Sequence, residues 1–394
     1  MRTVEASWRR RALRAFVAWV LTLGVVRALV MQPEQCGTVT PARIDHAITE
    51  AVGWATRTQQ PDGRWLYRYD IGTDSDVAVY EFVRHAGLMM SLYQAAAAGV
   101  TDAQPVAERA DAYARQHLAS GPGWQALAPL DPQEQYDLGA TSLYLNALLF
   151  RRELTHDTGD DMLLDDLGHF LVANVAPSGA VAAYWDPRTN APVTTSSSPF
   201  STGEALWAIA RLETVHPGEW REPALRIAHY IATVRDDAEH RWPDVPDHWA
   251  SHALAEMNTW PGPSVLDETL VRYAHHVAEL ESLEIRYESQ RTGSLYSRAT
   301  RGQIALGAGV GALAEAILAL ESLPSLTTDR DLHARASCAI GVLLHRQTTA
   351  EQAALMRNPE RTRGAWIREG VTQIDDQQHT MTALVMMREQ GLRR

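Results

Sequence analysis

The chain contains no lysine, so arginine supplies all 36 of its Lys/Arg cations. This absence excludes Schiff-base catalysis and lysine general bases. The 48 acidic residues give a formal net charge of −12, and five of the arginines lie in the first fourteen residues, so the rest of the chain is still more acidic. Because such a surface repels phosphate backbones, the composition predicts no nucleic-acid partner.

Cysteine is scarce as well, since the chain has only Cys36 and Cys338 and no CxxC pair. A thiolate zinc site and a disulfide-rich scaffold are therefore excluded. One bridge between the two cysteines is open, but only in a compartment where thiols oxidise and only if the two ends of the chain meet.

Several sequence motifs of known chemistry are missing. There is no G-x-S-x-G segment for a serine hydrolase, and no P-loop or dinucleotide fingerprint between a strand and a helix. The glycines at 307–311 lie in an apolar helical stretch, where close helix packing is their expected use. Nucleotide-dependent and serine-hydrolase functions are thus unsupported.

The N-terminus combines a basic segment with an apolar one. Residues 1–14 form a basic cytoplasmic n-region, and the apolar run 15–26 is followed by Arg27 and four more apolar residues. A membrane span needs about 20 residues, a length that is reached if Arg27 snorkels. The pattern predicts a signal anchor or transmembrane helix at 15–31 and a linker at 32–40, with the bulk of the chain extracytoplasmic, on the periplasmic or extracellular face. The alternative is an amphipathic surface helix on a cytoplasmic protein.

Beyond residue 40, apolar residues recur with helical periodicity between Gly/Pro/Asp-rich breaks. Short β-hairpin insertions interrupt the pattern, one at 178–193 and a turn with an extended aromatic segment at 59–69. The predicted helices form six consecutive pairs, at about 41–58, 76–98, 103–119, 138–154, 159–174, 202–215, 219–235, 247–257, 265–285, 302–322, 328–347 and 375–390.

The second helix of several pairs is apolar on nearly all sides, whereas first helices such as 103–119 carry a charged face. A helix that is apolar all round is buried. This alternation predicts an all-α domain over 41–394 with the (α/α)6-toroid architecture, in which six inner helices are surrounded by six outer ones. The uneven pair spacing disfavours a superhelical repeat array.

The segments QPDGRWLYRYD (60–70) and FSTGEALWAIARL (200–212), together with the paired helices, resemble the six-hairpin toroid enzymes that act on carbohydrates. The resemblance covers about residues 41–390. It implies an active site in the funnel at one set of inner-helix ends, with carboxylates and aromatics. Related toroids include terpene cyclases, sugar epimerases and lanthionine cyclases, and the last group is disfavoured because its zinc-binding cysteine pair is absent.

Polar residues gather where the inner helices begin. Capping accounts for Asp137 and Ser201, but it does not account for charges deeper in apolar helices, which are costly to bury without partners. The strongest local signal is DDQQH at 375–379, where a carboxylate and a histidine share one helix face. Such neighbours move a pKa toward neutrality, as acid/base catalysis requires. The predicted catalytic residues are Asp376, Glu204, Asp247 and His379.

A second group of polar and aromatic side chains at the same helix starts and breaks is predicted to bind substrate. Aromatic side chains at these breaks can stack on sugar rings, and arginines can pair with a sugar carboxylate. No cofactor is expected, although the four-residue spacing in DHWASH would also suit a divalent metal at His248 and His252. The predicted substrate-binding residues are Tyr80, Arg84, His85, His248, His252, Trp65, Trp185, Trp249, Arg301 and Asp375.

These residues predict a membrane-tethered glycoside hydrolase whose partner is a polysaccharide or glycoconjugate and whose two carboxylates flank the scissile bond. A uronic-acid lyase or epimerase on the same fold is the first alternative. A non-catalytic glycan-binding or scaffold subunit of an envelope assembly is the second. Because all inner helices of a closed ring start at one end, His85, Glu204, Asp247, His252 and Asp376 are expected to converge in one funnel.

Overall fold

The computed structural model describes residues 2–29, 32–77, 79–240 and 247–393. Residues 30 and 31, at the end of the predicted anchor, and residue 394 lie outside the described residues. The first helix, α1 (Arg2–Leu29), contacts the body of the protein near its C-terminal end, where the Tyr296 hydroxyl donates to the Ala28 carbonyl. Its segment Trp8–Leu29 has a mean hydropathy of 1.7 over its most apolar window, none of which is buried, so it is long and apolar enough to cross a membrane.

Among the described residues, twelve helices form the body of the protein, and each of them overlaps one of the twelve predicted segments. Six of them are outer helices with one solvated face: α2 (Pro41–Thr58), α4 (Ala103–Ala114), α6 (Asp161–Ala173), α8 (Arg221–Thr233), α11 (Glu268–Glu288) and α14 (Arg330–Arg346). The other six are inner helices: α3 (Phe82–Ala97), α5 (Leu138–Thr155), α7 (Ser201–Val215), α10 (His248–Met257), α13 (Gly307–Leu320) and α17 (Ile374–Arg393).

The inner helices form a closed ring, because each packs against the next and α17 packs back against α3. The predicted (α/α)6 toroid is therefore confirmed. Close approach within the ring depends on small residues: a Cβ on Gly311 of α13 would lie 2.6 Å from the backbone of His379 on α17. The apolar core fills the space between the two layers.

Short strands connect the layers at the end where the inner helices begin. They form a three-stranded sheet β2-β1-β8, a hairpin β3-β4 and a three-stranded sheet β5-β6-β7, all antiparallel. The strands are β1 (Arg68–Asp70), β2 (Ser75–Asp76), β3 (Leu118–Gly121), β4 (Trp124–Leu127), β5 (Tyr136–Asp137), β6 (Tyr184–Asp186), β7 (Ala191–Pro192) and β8 (Val371–Gln373). The predicted hairpin at 178–193 is confirmed by β6 and β7.

The described part of the chain also contains four short α-helices: α9 (Arg235–Ala238), α12 (Leu295–Arg301), α15 (Ala350–Ala353) and α16 (Pro359–Thr362). The ring is closed a second time by β1, which precedes α3 and pairs with β8, which precedes α17. A disulfide between Cys36 and Cys338 fixes the linker to α14. The two ends of the chain therefore meet, as a bridge requires.

Candidate active site

A cavity of about 770 Å³ opens at the end of the ring where the inner helices begin. Its walls come from the first turns of the inner helices and from the last turns of the outer helix α11. Cavities of this size accommodate small molecules or a few sugar units. Its lining includes Arg84, Leu143, Phe200, Glu204, His248, Trp249, Glu281, Leu283, Glu284, Tyr287, Asp375, Gln378 and His379.

A row of three carboxyl groups lies at the starts of α5, α7 and α10. Asp137 caps α5 by accepting from the Gly139 N–H at 2.8 Å, and Asp247 caps α10 while paired with the buried guanidinium of Arg235. Glu204 lies between these two acids, and no hydrogen bond links its carboxyl group to the described residues. Two of the three carboxyl groups thus have structural roles, and Glu204 alone lines the cavity.

The carboxyl groups need glycines on the neighbouring helices. A Cβ on Gly139 would lie 2.2 Å from Oε2 of Glu204, and a Cβ on Gly203 would lie 2.1 Å from Oδ1 of Asp247. Burial, together with the charges of Asp137 and Asp247, raises the pKa of Glu204 well above its usual range. Burial also raises the pKa of Asp137 to about 6. These surroundings therefore favour the protonated form of Glu204.

Three histidines and one glutamate form a cluster on α10, α13 and α17, which follow the row of carboxyl groups around the ring. Glu315 of α13 bridges two of them, with Oε2 3.0 Å from Nε2 of His252 and Oε1 2.9 Å from Nδ1 of His379. The His248 ring lies 5.1 Å from the His379 ring. Trp249, whose indole ring stacks on a second indole at 5.5 Å, forms part of the wall.

The histidines of this cluster have opposite protonation preferences. Burial disfavours the imidazolium of His379, but the Glu315 carboxylate outweighs burial and raises the pKa of His379. Burial and the two neighbouring histidines lower the pKa of His248 well below its usual value. No hydrogen-bond partner is present for the buried Nε2 of His248 among the described residues. The surroundings therefore favour the neutral form of His248 and the charged form of His379.

An ion pair joins the starts of α3 and α17. Arg84 lies 3.1 Å from Oδ2 of Asp375 and also donates to the Tyr67 hydroxyl at 3.2 Å. That hydroxyl donates to Glu81 at 2.7 Å. Arg84 and Asp375 both line the cavity, and Oδ1 of Asp375 is free of hydrogen bonds to the described residues. The Arg84 guanidinium thus fixes the position of the Asp375 side chain at the cavity wall.

Six of the predicted site residues line the cavity, and three more are packed directly behind it. The lining residues are Arg84, Glu204, His248, Trp249, Asp375 and His379. Asp247 and His252 lie behind them, and so does Asp376, whose two carboxylate oxygens accept from the backbone N–H groups of Ala308 and Gln373. Burial raises the pKa of Asp376 to about 7. Its carboxyl group joins α13 and β8 to α17 and does not reach the cavity.

The expectation that His85 faces the funnel is wrong. Its Nδ1 lies 2.6 Å from the Tyr80 hydroxyl, and its Nε2 lies 3.0 Å from the Ala110 carbonyl on the outer helix α4. Both nitrogens thus find partners between the layers, which is why a buried histidine is tolerated there. Burial lowers its pKa to about 4. His85 and Tyr80 are parts of the core.

Three other predicted contacts also lie away from the cavity. Trp65 is fully buried and donates to the Ala55 carbonyl, and the Trp185 ring packs against Trp124 in the core. Arg301 ends α12, with its guanidinium over the Tyr287 ring. Trp65 and Trp185 therefore follow the general rule that most large aromatic side chains belong to the core.

Sequence reasoning missed Glu315 and the residues of α11. Glu315 is the one charged side chain in fourteen residues of α13, and such a charge must find a partner when it is buried. That signal was available in the sequence. Glu281 and Glu284 of α11 look like part of a solvated face, yet burial raises the pKa of both, and both line the cavity.

The predicted metal position at His248 and His252 stays a prediction. Within residues 8–29, 32–77, 79–240 and 247–391, three potential ligand side chains come within 4.8 Å of one another only at Glu34, Cys36 and Cys338. Those cysteines form the disulfide. His252 is held by Glu315, so a metal would have to compete with that contact.

No family model matches the chain, and no curated protein is detectably similar to it in sequence. Solved structures do resemble it. Cellobiose 2-epimerase from Spirochaeta thermophila superposes with a TM-score of 0.60 and 14% identity, over 97% of this chain and 99% of that chain. A family 76 glycoside hydrolase, a mannosidase from Bacteroides thetaiotaomicron, superposes with a TM-score of 0.60 and 12% identity, over 89% and 100%.

A type II terpene cyclase from Scytonema also superposes, with a TM-score of 0.54 and 13% identity, over 89% of this chain and 98% of that chain. These structures establish the six-hairpin toroid fold of the present chain. They do not assign it a reaction, because one fold carries several chemistries.

Proposed function

We propose that the protein is a membrane-tethered, extracytoplasmic carbohydrate-active enzyme that hydrolyses a glycosidic bond. One observation carries the proposal: two carboxyl groups in unlike surroundings face the same cavity from opposite sides of the ring. Burial raises the pKa of Glu204 on α7 well above its usual range, whereas Asp375 on α17 is paired with Arg84. In the ring order α3, α5, α7, α10, α13, α17, helices α7 and α17 are opposite each other.

These two groups supply what acid-catalysed hydrolysis needs. Glu204 donates its proton to the leaving glycosidic oxygen as the bond from that oxygen to the anomeric carbon breaks. Asp375 takes a proton from the water whose oxygen attacks the anomeric carbon. The guanidinium of Arg84 keeps Asp375 oriented, and His379 and His248 line the wall beside it. The base is thus moved from Asp376 to its neighbour Asp375, because the oxygens of Asp376 are held by backbone N–H groups.

The proposed location is supported by two features. The helix Trp8–Leu29 has the length and hydropathy of a membrane span, with arginines at its N-terminal side. The Cys36–Cys338 disulfide lies on the other side of that helix and belongs in an oxidising compartment. A mannosidase and an epimerase among the structural neighbours support a saccharide as the substrate.

The test is a screen of the full chain against polysaccharides, read by reducing-end release, followed by two substitutions. Glu204→Gln and Asp375→Asn should each lower kcat by roughly 10²- to 10⁴-fold with an unchanged Tm. Because Glu204 acts in its protonated form, the wild-type rate should fall at high pH as Glu204 ionises, and Glu204→Gln should lose this limb.

The matched control is Glu219→Gln, since Glu219 is exposed and far from the cavity. It should keep the full rate. Full activity in both cavity variants would refute the acid/base assignment. Measurable glycan affinity without turnover of any polysaccharide would favour the binding-only alternative.

The histidine pair favours a second candidate, a sugar epimerase. The pKa of His248 is lowered and that of His379 is raised, and such a pair suits an epimerase, in which one imidazole removes a proton from carbon and the other returns one on the opposite face. Uptake of deuterium from the solvent at a sugar carbon, without reducing-end release, would identify this reaction. His248→Gln should then abolish deuterium uptake, whereas Glu204→Gln should leave it measurable.

A further inference from the structure

The end of the toroid where the inner helices begin, here called the rim, carries an exposed apolar patch beside the cavity mouth. Four large apolar side chains within residues 283–296 are exposed: Leu283 by 61%, Tyr287 by 40%, Leu295 by 85% and Tyr296 by 55%. Outside α1, the described residues include twelve such exposed side chains in all. One third of them thus fall in a segment of fourteen residues, a concentration that marks an interaction surface.

The patch is continuous with the end of α1. The Tyr296 hydroxyl donates to the Ala28 carbonyl at 2.6 Å, and Gln32 donates to Thr300 Oγ1 at 2.8 Å. The linker then follows α11, where the Gln35 N–H donates to the Ser289 carbonyl at 2.8 Å. The point at which the helix of membrane-spanning length ends is therefore fixed against α12, within the patch itself.

The same patch borders the cavity. Leu283 and Tyr287 line it from α11, and Phe200, which is 47% exposed, lines it from the start of α7. A ligand therefore passes these exposed apolar side chains at the cavity mouth before it reaches the polar groups Glu204 and Asp375. Aromatic side chains at the cavity mouth can stack on sugar rings, but the aliphatic Leu283 has no ring for such stacking and suits an apolar portion of a ligand.

From these contacts we propose that the rim rests on the bilayer surface and that the cavity acts on a saccharide attached to a membrane lipid. The proposal rests on the proposed function and on the proposed anchor, and it adds the substrate class. The saccharide reaches the polar groups of the cavity, while the apolar portion of the attached lipid lies against Phe200, Leu283 and Tyr287. Tyr296 and Leu295 sit at the lipid boundary, where amphipathic and apolar side chains are favoured.

Membrane contact is tested first and without an activity assay. The full chain is placed in phosphatidylethanolamine/phosphatidylglycerol vesicles that contain a phospholipid with a diazirine in its acyl chain, and the photo-adducts are mapped by mass spectrometry. Adducts are expected within 283–296 as well as within 8–29. Adducts confined to 8–29, or equally frequent near the exposed Met162, would overturn the proposal, because Met162 begins α6 at the opposite end of the toroid.

Substrate presentation is tested with a matched pair of variants. Leu295→Glu and Met162→Glu place the same charge at positions that are 85% and 81% exposed. The probe is the oligosaccharide hydrolysed in the polysaccharide screen, supplied free in solution or coupled to diacylglycerol in vesicles. Leu295→Glu should lower turnover of the vesicle-bound form about tenfold and leave the free form unchanged, whereas Met162→Glu should change neither.

The outcomes separate the two proposals. If the wild type turns over the free form as fast as the vesicle-bound form, or if Leu295→Glu affects both forms equally, the lipid-linked substrate is refuted while hydrolysis stands. If no saccharide is turned over, the proposed hydrolysis fails, and the photo-adducts alone decide whether the rim contacts the bilayer.

Discussion

Removing the negative charge of Glu315 is expected to destabilise the protein in a pH-dependent way. The carboxylate is fully buried and lies within 3.0 Å of two imidazoles. The two histidines lower the pKa of Glu315, and the Glu315 carboxylate raises the pKa of His379. Burial opposes both shifts. Glu315→Gln keeps the shape of the side chain but removes the charge, so His379 loses the partner that holds its proton.

The sign of the pH dependence follows from the two shifts. A lowered carboxyl pKa stabilises the fold above the unfolded value of about 4.5, and a raised imidazole pKa stabilises it below the unfolded value of about 6.5. The ion pair therefore contributes fully between about pH 4.5 and 6.5, and its contribution is lost as the pH rises through the pKa of folded His379. Breaking a buried pair costs about 3 kcal/mol. Once His379 is neutral, no ion pair remains to be broken, and Glu315→Gln exchanges one hydrogen-bond partner of the imidazole for another, so the cost falls to about 1 kcal/mol.

The assay is urea denaturation of the wild type and Glu315→Gln at pH 6 and pH 9. The difference in the free energy of unfolding should be about 2 kcal/mol larger at pH 6. The control is Glu219→Gln, which breaks a His169–Glu219 pair at 3.4 Å whose glutamate is 67% exposed. It should cost less than about 0.5 kcal/mol at either pH. A loss that is equal at both pH values, or no loss, would show that Glu315 does not hold His379 charged.

Two further predictions concern the inner ring. Gly203→Ala would place a Cβ 2.1 Å from Oδ1 of Asp247 and disturb the ion pair of Asp247 with Arg235. Thermal denaturation should therefore show a loss of roughly 3 kcal/mol in the free energy of unfolding. The control is Gly391→Ala, whose added Cβ meets no atom within 4 Å and should be neutral or slightly stabilising. Asp376 has a pKa of about 7 when folded against 3.8 unfolded, so its ionisation costs stability as the pH rises from about 4 to 7. Asp376→Asn should remove that decline, and an unchanged profile of unfolding free energy against pH would contradict the assigned pKa.

Helix periodicity and capping predict most of the fold. Thr40 and Pro41 give the start of α2 correctly, because the threonine side chain accepts from the Arg43 N–H and proline occupies the first turn. By contrast, α3 was expected from residue 76 and begins at Phe82. The preceding residues pair as β1 and β2, and no local periodicity reveals that β1 also pairs with β8, some 300 residues away along the chain.

The site is predictable where it lies on first turns and unpredictable elsewhere. Glu204, Asp375 and His379 were found because all inner helices start at one end of a closed ring. The contribution of α11 was missed because the helix belongs to the outer layer, and periodicity does not tell which of its turns reaches the cavity. His85 was misplaced because a polar residue in an apolar helix can point outward, toward a carbonyl of the next layer, as readily as inward.

The disulfide at Cys36 sets how far the toroid can move from its anchor. Only six residues separate Leu29 from Cys36, and a fully extended chain spans at most about 3.6 Å per residue. The segment between Leu29 and Cys36 therefore spans about 25 Å when fully extended, which is less than the thickness of the bilayer core. If the disulfide were reduced, the free segment would extend to the start of α2 at Pro41, and its full length would be nearly twice as great. With α1 in a membrane, as proposed, an oxidising compartment would hold the toroid within about 25 Å of the end of that helix, and a reducing one would let it move to about 43 Å.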